Sequence, residues 1–243
     1  MSDPSNPTSR PIVLVHGAWV GEWCWEPIIG LLEAAGRPVH AVSLTGHGRR
    51  RDESAPGVTL GDHVGDVVAV FREGDLADAT LVAHSYGGRV ITKAWPEVAA
   101  RVRRMVYLDA HAPLGSGDDG TGKAPRYAAD DVGMIPFAEF QPDEAVLGGD
   151  RAVAEFTSRL APQSARTLSE PFEVDLPAGL DKTYVFATAE RSAQFRPYAE
   201  AAQRDPSWRY VEIPATHWLM YTHPRQVAAI ILDEEASEED DGR

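Results

Sequence analysis

Ser85 lies in the run Ala83-His84-Ser85-Tyr86-Gly87-Gly88, directly after the apolar stretch Ala79-Thr80-Leu81-Val82. A serine carried through a sharp turn between a strand and a helix presents its hydroxyl for attack on a carbonyl carbon. The turn brings neighbouring backbone very close, so small residues are needed two positions before and two after the serine. Ala83 and Gly87 fill those places, Ala83 departing by one methyl group from the more usual glycine. The hydroxyl is inert until a base removes its proton and donors receive the charge that develops on the carbonyl oxygen. Downstream, Tyr210-Val211-Glu212-Ile213 reads as a strand ending in Pro214-Ala215-Thr216-His217, which makes His217 the candidate base. Upstream, Pro11-Ile12-Val13-Leu14-Val15 reads as a buried strand running into His16-Gly17-Ala18-Trp19, a loop whose amides can face a substrate oxygen. The amides of Ala18 and Tyr86 are the expected donors.

The base in turn needs a carboxylate to hold its tautomer and to stabilise its protonated form. Two carboxylates follow strand-like runs: Asp109 after Met105-Val106-Tyr107-Leu108, and Glu190 shortly after Thr183-Tyr184-Val185-Phe186-Ala187. Placement alone leaves both open. His16 is expected to bond the backbone of its own loop, and His84 to turn its ring into the core. His40, His47, His63 and His223 fit no metal-ligand spacing with cysteines or acids. They read as surface or packing residues, and no metal site is expected.

The elements that must position these groups follow a regular alternation. Strands are expected at 11–15, 38–44, 79–83, 104–109, 183–187 and 208–213, separated by helical stretches, as in a mostly parallel sheet with helices on both faces. The chemical groups then fall at strand carboxyl ends, where open sheets of this kind form crevices. Trp25 to Ala35 and Leu60 to Phe71 read as helices, the first stopped by Gly36 and the second capped by Thr59. Residues 113–182 break the alternation, with a Gly-rich polar start and short helical pieces at Asp143 to Gly148 and Arg151 to Leu160.

From about Pro11 to Leu232 the chain resembles the small α/β-hydrolases of the hydroxynitrile lyase and methyl-ester esterase group. The resemblance rests on Val15-His16-Gly17-Ala18-Trp19, Trp23-Cys24-Trp25, His84-Ser85-Tyr86-Gly87-Gly88, Thr183-Tyr184-Val185 and His217. It implies an α/β-hydrolase fold, with residues 10–112 and 183–232 as core and 113–182 as a small helical lid over the strand ends. Phe137, Phe140 and Phe156 are expected wall residues of that lid, and 115–124 its mobile loop. The resemblance places the acid at Glu190, with Asp109, similar in placement to the acid of haloalkane dehalogenases, as the alternative. It also implies hydrolysis of an ester or thioester through an acyl-enzyme, with no cofactor. Trp19 and Trp218 suggest an apolar or aromatic substrate, whereas Trp23 and Trp25 read as packing. The related lyases use a threonine in the oxyanion loop and a lysine after the histidine; Ala18 and Trp218 stand there instead, which disfavours cyanohydrin cleavage. A tailoring enzyme for a polyketide-like ester, or a small-molecule binding protein of the same fold, are the remaining alternatives.

Composition bounds the partners. The 243 residues suit one α/β domain, and a single cysteine, Cys24, reads as a packed thiol in a reducing compartment. Residues 1–9 are polar with two prolines and read as a disordered start and not a signal peptide, so a cytoplasmic location is expected. No run is long enough to span a membrane. The net charge of −14 disfavours nucleic acid, since phosphate contacts need clustered cations. Arg49-Arg50-Arg51 and the trio Arg101, Arg103 and Arg104 read as short clusters covering loops and helix ends. Seven carboxylates in 233–243 equal half the net charge, and this tail is expected to be disordered. Its sequence says nothing of oligomeric state. Deleting residues 234–243 should therefore leave ester turnover and Tm nearly unchanged, checked by assay and thermal melt; a large fall in Tm would show that the tail packs.

Overall fold

The computed structural model describes residues 10–114, 133–137, 144–172, 174–189 and 194–233. Six strands form one parallel sheet: β1 (Ile12–Val15), β2 (Val39–Val42), β3 (Ala79–His84), β4 (Val102–Leu108), and, after an intervening pair β5 (Met134–Ile135) and β6 (Gln163–Ser164), β7 (Asp181–Ala187) and β8 (Arg209–Ile213). Their spatial order is β2-β1-β3-β4-β7-β8, so β1 sits between its two successors and the direction of winding reverses beside it. Val15 is paired with Val42 on one side and with Ala83 on the other. A crevice opens at such a reversal, beyond the carboxyl ends of the strands. β5 and β6 form a separate antiparallel pair within the segment between β4 and β7.

The strands are near-continuous apolar runs because both faces of the sheet are covered. Alternate residues feed two cores: Val13, Val15, Leu81, Ala83, Met105, Tyr107, Tyr184 and Phe186 on one face, and Ile12, Leu14, Val82, Val106, Leu108, Val185 and Ala187 on the other. Helix α1 (Glu26–Ala34) enters with a proline in its first turn and buries Ile28 and Leu32, spaced by one helical turn. Helix α2 (Leu60–Glu73) is started by a reciprocal capping box between Thr59 and Asp62. Helix α3 (Gly87–Val98) leaves β3 through the Ser85 turn. Three short helices follow in the inserted segment, α4 (Glu144–Leu147), α5 (Asp150–Ser158) and α6 (Ala165–Ser169), and then α7 (Arg196–Arg204), α8 (Leu219–Thr222) and α9 (Pro224–Leu232). No helix among the described residues is long and apolar enough to cross a membrane.

Cys24 is fully buried beside Trp23 and Trp25, and burial pushes its thiol pKa well up, as a packed thiol requires. Arg104 departs from the surface role expected of its cluster. It is 1% exposed, donates to Thr183 Oγ1 at 2.9 Å and to the Ile231 carbonyl at 3.3 Å, and lies 3.4 Å from Asp233. The last carbonyls of a helix have no partner within it, and this guanidinium supplies one to α9 from the strand beneath.

The inserted segment is held to the body by Phe156 of α5. Its ring packs edge-on between Trp23 and Trp218, at centroid distances of 4.9 and 5.0 Å, while Arg159 stacks over Trp23 and pairs with Glu26 at 2.6 Å. At the turn itself, a methyl group on Gly87 would lie 2.6 Å from the Val15 carbonyl oxygen and 2.7 Å from that of His16. Both are backbone atoms at the end of β1 and cannot swing away. Gly87→Ala should destabilise the protein by about 3 kcal/mol, the upper range of overpacking costs, read as a lowered denaturant midpoint at constant m; an unchanged midpoint would show that α3 shifts freely.

Candidate active site

Ser85 follows β3 and holds φ at 54°, a left-handed backbone that a serine adopts only under constraint. Its amide donates to the Leu108 carbonyl at 3.3 Å, and its own carbonyl accepts from Gly88 and His111 at 3.1 and 3.2 Å. β3, β4 and α3 thus meet at this one residue. A Cβ on Gly17 would sit 3.5 Å from Ser85 Oγ, so the loop after β1 lies directly against the hydroxyl.

His217, four residues beyond the end of β8, is 4% exposed and places Nδ1 2.7 Å from Asp109 Oδ2. A carboxylate only accepts, so Nδ1 carries the proton and Nε2 carries the lone pair. Asp109 follows β4 directly, is fully buried, and is itself fixed: its amide donates to Val185 O at 2.7 Å and its Oδ1 accepts from Ala187 N at 3.3 Å. The carboxylate bonded to the imidazole is therefore that of Asp109. The end of β7, where the resemblance put the acid, contributes an amide to Asp109; Glu190 itself lies outside the described residues. Burial lowers the His217 pKa to about 3, so the ring is neutral near pH 7 and able to accept a proton.

Two more rings hold this imidazole. Phe195 stacks on it, with centroids 4.9 Å apart and planes 8° from parallel, and His84 packs on it at 4.4 Å. His84 Nε2 donates to the His217 carbonyl at 2.8 Å, fixing the backbone of the residue whose ring it touches. His84 is thus turned into the core, as expected. Phe195 carried no signal in the sequence, because it lies between β7 and α7 outside any periodic pattern.

The amides of Tyr86 and Ala18 belong to the two segments that lie against the Ser85 side chain. Tyr86 immediately precedes α3, and the first N–H groups of a helix have no partner within it. Its phenol donates to His63 Nδ1 at 2.9 Å, since His63 Nε2 must donate to the Thr45 carbonyl, 3.0 Å away. Ala18 follows Gly17, whose carbonyl accepts from His16 Nδ1 at 2.8 Å; His16 Nε2 in turn accepts from Leu44 N at 3.2 Å. In a trans peptide the C=O and N–H point opposite ways, so the pull of His16 on Gly17 aims the Ala18 N–H to the other side.

Of the expected substrate contacts, Trp19 is half-buried and meets Phe137 edge-on at 5.7 Å. Trp218 is 5% exposed and packed among Phe156, Tyr221, His84 and His217. Phe156 lies in that aromatic cluster, and Phe140 lies outside the described residues. No group of three His, Cys, Asp or Glu able to hold a metal occurs among the described residues.

A parallel sheet with a left-handed serine after one strand and a carboxylate-bonded histidine after another defines an α/β-fold hydrolase class. A family model described as the alpha/beta hydrolase family matches residues 12–230, and the chain belongs to that family. Within it the chain is esterase-like. It is 32% identical over 237 residues to the carbendazim hydrolyzing esterase of Nocardioides sp. (strain SG-4G), covering 89% of this chain and 96% of that protein. It is 29% identical over 138 residues to methylesterase 1 of Arabidopsis thaliana, covering 56% of this chain and 48% of the plant protein. An extracellular alpha/beta-hydrolase from a Paenibacillus species shares the fold at a TM-score of 0.65 and 21% identity, over 94% of this chain and 100% of that one.

His16, His47, His63 and His84 are each 2% exposed or less, and burial lowers all four pKa values, those of His47 and His63 to about 4. In the unfolded chain each would titrate near 6.5, so below that pH the unfolded state binds more protons than the native state. Their contribution is present above 6.5 and is lost as pH falls toward 4, by about 1.4 kcal/mol per pH unit for each ring. Thermal melts between pH 7.5 and 4.5 should show a steep fall in Tm below about 6.5; a flat profile would show that the rings protonate in place.

Proposed function

We infer that the protein is a serine hydrolase cleaving a carboxylic ester or thioester of a small apolar or aromatic substrate through an acyl-enzyme. The observation that carries this reading is the 2.7 Å bond from His217 Nδ1 to Asp109, which leaves Nε2 as the basic nitrogen beside a serine turn. In this reading Nε2 takes the Ser85 proton as Oγ attacks the carbonyl carbon. The imidazolium that forms is stabilised by Asp109, and the oxyanion is received by the Ala18 and Tyr86 amides. Collapse of the tetrahedral species expels the alcohol or thiol, which takes its proton from Nε2. Water then adds to the acyl group, activated by the same nitrogen, and frees Ser85. No cofactor enters any step.

The inserted segment serves as a lid over the strand ends, with Trp19 and Phe137 forming an aromatic wall for the substrate. The esterase names of the two sequence relatives support an ester as the substrate class. Asp109 is the acid of the set.

A panel of p-nitrophenyl esters differing in acyl length and aromaticity tests the assignment. Ser85→Ala and His217→Ala should each remove nearly all turnover while the protein stays folded, and the double variant should be little worse, because the members act as a unit. Asp109→Asn should cost roughly 10⁴-fold in kcat, the effect of forcing the wrong tautomer, with Glu190→Gln nearly neutral. Substantial turnover in Ser85→Ala would overturn the serine mechanism, and the reverse ranking of the two acids would return the role to Glu190.

A further inference from the structure

Trp19 holds φ at 65°, a left-handed backbone unfavourable for a bulky side chain. Such a conformation persists only where the surroundings over-determine it. Three hydrogen bonds from the inserted segment converge on this residue. Its amide donates to Gln163 Oε1 at 3.3 Å, its indole Nε1 donates to the Ile135 carbonyl at 2.9 Å, and its carbonyl accepts from Ala161 N at 2.9 Å.

Gln163 is fully buried, and its two ends are distinguishable. The Thr167 hydroxyl donates its one proton to the Ser164 carbonyl at 2.7 Å, so it can only accept from Gln163, which places Nε2 toward Thr167 and Oε1 toward Trp19. Thr167 also sits beside the Tyr86 phenol. One short stretch of the inserted segment therefore reaches the neighbours of both amide donors. The Trp19 amide shares its peptide plane with the Ala18 carbonyl, which accepts from Val20 N at 2.8 Å, so Gln163 and Val20 together set the backbone of Ala18 on its C-terminal side.

We propose that Gln163 is a positioning residue for the oxyanion-receiving loop: its buried carboxamide oxygen holds Trp19 in the left-handed conformation and so, from the other side of Ala18 to the His16 bond on the Gly17 carbonyl, keeps the Ala18 N–H aimed at the substrate carbonyl oxygen. The proposal rests on the serine-hydrolase reading above. Gln163 acts through the Trp19 backbone, not through contact with substrate. Negative charge reaches the carbonyl oxygen only in the transition state, so a misaimed donor lowers kcat and leaves KM largely alone.

The test uses the full chain, a p-nitrophenyl ester, an alkyl boronic acid that forms a tetrahedral adduct with serine, and a fluorophosphonate that labels the active serine. Gln163→Met removes the acceptor; Gln163→Asn keeps a buried amide, shortens its reach by one methylene, and provides a second variant should the first fold poorly. Thermal melts accompany both. In a folded variant kcat should fall about 10- to 100-fold, somewhat less than deletion of a donor, with KM within about 3-fold and boronic acid affinity weakened in step with kcat. A folded variant that keeps wild-type kcat, or that loses only in KM with boronic acid affinity unchanged, would overturn the proposal. Failure of the wild type to take label at Ser85 would instead overturn the serine reading beneath it. A labelled wild type with unaffected Gln163 variants would overturn the role of Gln163 alone.

Discussion

The left-handed backbone of Ser85 is the constraint around which the molecule is arranged. Holding a non-glycine residue there costs on the order of 1–3 kcal/mol, and the bonds that fix it come from separate elements. Leu108 on β4 receives its amide, while Gly88 on α3 and His111 beyond Asp109 donate to its carbonyl. Because the Leu108 bond comes from the residue just before Asp109, the joint that strains the serine also sets the depth of the carboxylate. Gly87 lets α3 approach the end of β1 closely enough to close the turn. Strain at one residue and the relative heights of three strand ends are thus a single geometric fact.

A second regularity is the use of neutral histidines as struts. His16, His63 and His84 each direct one ring N–H at a backbone carbonyl, of Gly17, Thr45 and His217 respectively. In His16 and His63 the other nitrogen accepts, from Leu44 N and from the Tyr86 phenol. A neutral imidazole can donate and accept at once, a combination that neither a lysine nor a carboxylate offers. Burial keeps these rings neutral, and neutrality is what their bonding requires. His217 follows the same rule with a carboxylate in place of a carbonyl, so that Nδ1 carries its proton.

Much of this was legible in the sequence because the sheet is buried on both faces. Apolar runs bounded by turn residues marked all six strands of the main sheet to within a few residues at each end: 79–83 against Ala79–His84, for example, and 183–187 against Asp181–Ala187. The serine turn and His217 were legible for the same reason, each following such a run. The choice between acids was not, because reach depends on where a loop travels after its strand, and two carboxylates followed strands equally well. Asp109 lies at its strand end, where the backbone of β7 receives it. Arg104 stood in a cluster that resembled surface charge, yet two of its partners are 79 and 127 residues away. Gln163 had no pattern around it at all, since the inserted segment buries polar groups through specific bonds and not through periodic apolar faces.

The distances in sequence between the parts of the site carry a consequence for how the chain reaches its native form. His217 and Asp109 are separated by 108 residues, and His84 and the carbonyl it fixes by 133. Neither bond can form until β8 has been laid down beside β7, the outermost pairing of a parallel sheet that closes entirely through long loops. Such topologies fold slowly, because loop-closure entropy must be met before distant contacts return anything. A growing chain that stops short of β8 carries the Ser85 turn and Asp109 but not His217, so the buried carboxylate meets its imidazole only once β8 has joined the sheet.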